Sequence, residues 1–148
     1  MAETVIVRQN QNFETEFLAL APEQGIDGQP NPVSHVHGLT PYGMMLAGLG
    51  ACTAIVLHTY ARNHNLPLHN VEIRLEYARH FQEDCENCED IDEYREEITE
   101  AIHLGGELTY QQREKLYKIA HYCPIYKMYT DGIPVKSRLA ESGGNTAW

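Results

Sequence analysis

The stretch TPYGMMLAGLGACTAIVLHTYARN, residues 40–63, does most to limit what this chain can fold into. Thr40 can cap a helix, and Pro41 at the first helical position forfeits no hydrogen bond and already has a suitable φ. A helix to Asn63 is about 35 Å long at 1.5 Å per residue. Its apolar residues run almost all the way round, so it predicts a helix buried on most sides. The uninterrupted apolar part, Met44 to Leu57, is fourteen residues, short for a bilayer span, which needs about twenty. Gly48 and Gly50 each cost roughly 1 kcal/mol of helix propensity. That cost implies that something approaches the backbone closely just before Cys52.

The remaining 124 or so residues of a 148-residue chain must cover that helix, which fits one domain spanning 1–148. Its core is expected over about 4–140, with 141–148 as a loose tail. TVIVRQNQNFETEFLAL (4–20) reads as two short strands, with Val5 and Val7 on one face and Ile6 and Arg8 on the other. The Pro- and Gly-rich segment to Gly38 reads as a long loop. VEIRLEYARHF (71–81) alternates as a half-buried strand, and Ile98, Ile102 and Leu104 are in step on a returning strand. Thr109 and Gln112 form a capping box ahead of a second helix, on which Leu116, Ile119, Ala120 and Cys123 share a stripe. Pro124 disfavours helix at Cys123 and places it at the helix exit. IPVKSRL (133–139) reads as a last strand. The order βββ-α-ββ-α-β is that of an α+β fold with a largely antiparallel sheet.

A net charge of −10, with no basic stripe, argues against nucleic acid and against an anionic membrane surface. The first twenty residues lack the basic start and apolar run of a secretory leader. Four cysteines then suggest a reducing, cytoplasmic setting, where thiols serve redox chemistry, catalysis or metals. Cys52 and Cys123 could each be a small apolar filler. If the two helices pack antiparallel, their sulfurs can also meet, as a peroxide-reducing thiol pair requires.

GLGACTA within the first helix, followed some seventy residues later by GELTYQQREKLYKIAHYCPIYKMY, resembles the OsmC/Ohr family of thiol-dependent peroxidases. The likeness runs from about Thr40 to Leu139. It implies an OsmC-like fold, an intertwined homodimer with antiparallel sheets around two long central helices and active sites at the subunit interface. It implies Cys52 as the peroxidatic and Cys123 as the resolving cysteine. Organic hydroperoxides or hydrogen peroxide would be the substrates, with no bound cofactor and an external dithiol of the lipoyl type as reductant.

A thiol in the middle of a helix gets no help from a helix N-terminus, and burial raises its pKa, so a nearby cation is needed. The organic-hydroperoxide branch of the family supplies an arginine held by a glutamate near the start of the cysteine helix; here that position reads Tyr42-Gly43. Arg8, the only N-terminal arginine, is then the candidate activator of Cys52, acting across the dimer interface. Tyr42, Met45, Tyr122 and Tyr126 are candidate walls of a substrate pocket. Cys85-x-x-Cys88 with His80 is half of a metal site or a redox pair, in a segment with nine acids and one arginine between Glu83 and Glu97. Two other readings therefore stay open: a ligand-binding or redox-sensing protein on the same fold, and a metal-binding one.

Overall fold

A computed structural model describes residues 2–20, 28–81 and 94–141. Strands β1 (Ala2–Asn10) and β2 (Thr15–Leu20) form a hairpin, and β3 is the two-residue Asn31–Pro32. After a 3₁₀ turn, helix α1 spans Pro41–Asn63. Strands β4 (Asn70–Phe81) and β5 (Tyr94–Gly105) precede α2 (Tyr110–Ala120) and α3 (Pro124–Asp131). The five strands make one antiparallel sheet in the order β3-β2-β1-β4-β5.

The core lies between one face of this sheet and the helices. Val5 and Val7 of β1 pair in register with Leu75 and Ile73 of β4, and all four are buried against Leu46, Leu49 and Leu57 of α1. Burying a side chain of this kind is worth about 1.5–3 kcal/mol. Thr40 caps α1, accepting the Gly43 N–H at 3.0 Å. The close approach expected from the glycines is real at Gly50, where an added Cβ would fall 2.6 Å from Val7 and 2.8 Å from Leu75. At Gly48 the same Cβ would meet open space. By length and composition α1 could cross a membrane, but half of its apolar window is buried inside the molecule.

The capping box of α2 is present, with Thr109 accepting from the Gln112 N–H and the Gln112 side chain accepting from the Thr109 N–H. The end of the chain departs from expectation. Pro124 does not only stop α2; it also opens α3, whose N-cap is Cys123. IPVKSRL is not a strand: residues 133–139 have no regular structure and are exposed, Val135 at 84 % and Leu139 at 96 %. Alternation makes a strand only where a sheet edge is there to pair with it, and no described strand pairs with this segment. The order is therefore βββ-α-ββ-α-α, still α+β.

Candidate active site: two thiols at the start of α3

Helix α1 packs against both α2 and α3, and this brings together the two cysteines expected to meet. The Cys52 thiol lies close enough to the Cys123 thiol and to the Ile125 backbone N–H for both to act on its pKa. The Cys123 sulfur accepts the Tyr126 N–H at 3.5 Å. Both sulfurs therefore sit at the N-terminus of α3, where unpaired N–H groups and the helix dipole favour negative charge. Cys123 is fully buried and Cys52 half-buried, so a solute meets Cys52 first. Both thiols are free.

The expectation that Cys52 lacks any helix terminus is thus corrected, because the terminus belongs to a different helix. Burial still dominates: it lifts the Cys52 pKa to about 11, with the Cys123 thiol adding to the rise and the Ile125 N–H opposing it.

Arg8 does not reach this site within the chain. It lies on the sheet face opposite the helices, exposed, with its Nε 3.3 Å from Glu72 and Nη1 3.9 Å from Glu16. Alternation along β1 puts Val7 on the helix and Arg8 away from it. At the head of α1, Tyr42 stacks on Tyr77 with ring centroids 4.6 Å apart. Arg79 of β4 donates to the Tyr42 hydroxyl at 2.7 Å and pairs with Glu96 at 3.6 Å, while the Tyr77 hydroxyl donates to Glu96 at 2.7 Å. Sequence reading missed this group. The signal was there in part, since Tyr77 and Arg79 share a face by strand alternation, but the register with Glu96 needs the folded hairpin.

A cleft of about 460 Å³ opens between α1, α3 and the outer strands, with Met45, Leu49, Tyr77, Ile98, Tyr126 and Tyr129 among its walls. Leu49 lies one helical turn before Cys52, and the Tyr126 N–H donates to the Cys123 sulfur, so the cleft lies beside the thiols, although neither cysteine is among its walls. Tyr129 donates to the Met45 carbonyl at 2.9 Å, and its pKa is raised by burial and by the nearby Cys123. Of the four residues expected to wall a pocket, Met45 and Tyr126 line this cleft. Tyr42 belongs to the Arg79 group, and Tyr122 is 66 % exposed. Three carboxylates, Glu96, Glu97 and Glu100, line the same cleft.

His80 is exposed on β4, and Cys85 and Cys88 lie outside the described residues. Among the described residues no group of three or more His, Cys, Asp or Glu side chains is arranged to hold a metal ion.

A model of the family described as OsmC-like protein matches residues 33–138. No curated protein matches the chain. Among solved structures, an OsmC-like hydroperoxide resistance protein from Jannaschia sp. CCS1 is similar over 96 % of this chain and 95 % of its own, at 12 % identity and a TM-score of 0.59. An organic hydroperoxide resistance protein OsmC from Legionella pneumophila matches over 90 % of this chain and 93 % of its own, at 18 % identity and a TM-score of 0.49. At such identity the first likeness is one of fold.

Proposed function

This chain belongs to the OsmC-like protein family, and on that premise we propose that it reduces hydroperoxides through a Cys52/Cys123 cycle. The observation that carries the reading is the meeting of both sulfurs at the start of α3. The Cys52 thiolate attacks the terminal peroxide oxygen. The O–O bond breaks, the sulfur becomes a sulfenic acid, and the departing alkoxide takes up a proton to leave as an alcohol. The Cys123 thiolate then displaces hydroxide from the sulfenic sulfur, giving a disulfide and, with a proton, water. An external dithiol, of the lipoyl type in the family, returns both thiols, and no bound cofactor is called for.

The family's homodimer belongs to the same proposal and has support in α1. Met44, Gly48, Ile55 and Thr59 form a stripe open to solvent, with Ile55 47 % exposed, on the helix that elsewhere carries the core. A second copy laid along that stripe would flank Cys52. The reading also places the protein in the cytoplasm, where a reducing environment keeps the thiols available.

Stoichiometric cumene hydroperoxide is expected to remove two of the four thiols and to join Cys52 to Cys123 in a disulfide, identified by peptide mass. A thiol titrating near about 11 is ionised on the order of one time in ten thousand at pH 7, so the rate should climb about tenfold per pH unit until the thiol ionises. Four thiols surviving a stoichiometric dose at every pH would rule the cycle out.

A ligand-binding or redox-sensing role is the second reading, favoured by the raised Cys52 pKa and by Tyr42 in place of the family's glutamate. Under it, Cys52→Ser keeps any ligand-induced thermal stabilisation while peroxide consumption stays absent.

A further inference from the structure

We propose that the cleft beside the thiols selects hydroperoxides by charge, admitting uncharged apolar ones and rejecting those that carry a carboxylate. The inference rests on the thiol pair as the reacting group, and it names the substrate class that the surrounding walls allow.

The walls divide by chemistry. Met45 and Leu49 of α1, Ile98 of β5, Tyr126 and Tyr129 form the apolar side of the cleft, and it lies beside the thiols because the Tyr126 N–H donates to the Cys123 sulfur. The opposite side carries Glu96, Glu97 and Glu100. Among the described residues, Arg79 lies 3.6 Å from Glu96, and His121 is the neighbour that opposes the rise of the Glu100 pKa. Glu100 stands out: it points to the helix side of an edge strand between Ile98 and Ile102, and its Oε2 is buried with no hydrogen-bond partner. Burial is also the main cause of its raised pKa.

A substrate carboxylate entering this cleft would lose its water and find like charge in place of a donor. A buried carboxylate stripped of water and left unpaired is costly, and one uncompensated repulsion at several ångströms in an intermediate dielectric slows entry by about tenfold or more. An uncharged hydroperoxide of the same shape packs on the apolar walls and meets the same carboxylates without a charge for them to repel.

A matched pair separates the two cases: the methyl ester of para-carboxycumene hydroperoxide, and the corresponding free carboxylate, at pH 8. The ester is expected to oxidise the wild-type thiols at least about tenfold faster. The double substitution Glu97→Gln with Glu100→Gln should narrow that ratio several-fold by speeding the carboxylate. Raising wild-type protein from 0.05 to 0.5 M salt should narrow it too, without any substitution. Equal rates for ester and carboxylate overturn the proposal, as does a ratio that neither salt nor the double variant changes.

Binding to Cys52→Ser, read as a thermal shift with the two product alcohols, keeps this inference apart from the peroxidase reading. If neither hydroperoxide touches the wild-type thiols but the ester alcohol still stabilises the variant more than the carboxylate alcohol, the selectivity stands and the peroxide chemistry falls. If cumene hydroperoxide consumes the thiols and the paired compounds do not differ, the reverse holds.

Discussion

Helix α1 has two faces that obey different rules. On one, Leu46, Gly50, Ala54, Leu57 and Ala61 are buried, and the sheet comes so near that Gly50 leaves no room for a methyl group. On the other, Met44, Gly48, Ile55 and Thr59 are just as poor in charge but open to solvent, and an added Cβ at Gly48 meets nothing. Cys52 lies where these faces join, against α3. The difference teaches that the apolar circumference of this helix is not all core: one face packs on the sheet, and the other is open to solvent, which is the face the proposed dimer would use.

The largest effect that can break this contrast is loss of a buried leucine. Leu57→Ala is expected to cost about 2–5 kcal/mol, whereas Ile55→Ala should cost under about 1 kcal/mol in dilute protein, both read from urea unfolding. Equal losses would mean that the two faces are energetically alike. Next come the glycines, with opposite signs. Gly50→Ala should destabilise by about 1–3 kcal/mol, because Val7 and Leu75 must shift. Gly48→Ala should gain up to about 1 kcal/mol from helix propensity. A loss at Gly48 that grows with protein concentration would sharpen the comparison, since it would reveal a second copy crossing there.

The smallest effect concerns Glu100, across the cleft from α1. Its carboxyl is held above the ordinary glutamate range by burial, so the folded chain binds its proton more tightly than the unfolded one. The stability that this protonation contributes is complete below the ordinary glutamate pKa and is lost as pH rises through the folded value. Glu100→Gln should therefore leave the melting temperature unchanged in acid and raise it slightly at pH 8. A constant difference at every pH would contradict the assigned cause.

Local chemistry made α1, α2 and the β4–β5 pair legible, because caps, periodicity and alternation lie within each segment. The meeting of Cys52 and Cys123 was inferable from two apolar stripes and the resemblance together. Helix α3 was not, because a proline after a helix reads equally as a stop and as a first helical residue. The fate of IPVKSRL was hidden for another reason: a strand belongs to its partner as much as to itself, and none pairs with it among the described residues. Arg8 does not reach the thiols within its own chain, because its face of the sheet follows from β1 packing by Val7. Arg79 was overlooked because its acidic partner is supplied by the register of a hairpin.

The short helix α3 is fastened to α1 at both ends, by the sulfurs at its start and by the Tyr129 hydroxyl on the Met45 carbonyl further along. On the proposed cycle, Cys123 carried on such a brace does not have to search for an oxidised Cys52. Its effective molarity toward the oxidised partner is set by geometry rather than by loop diffusion, so ring closure would outrun capture by any small thiol in the surrounding solution.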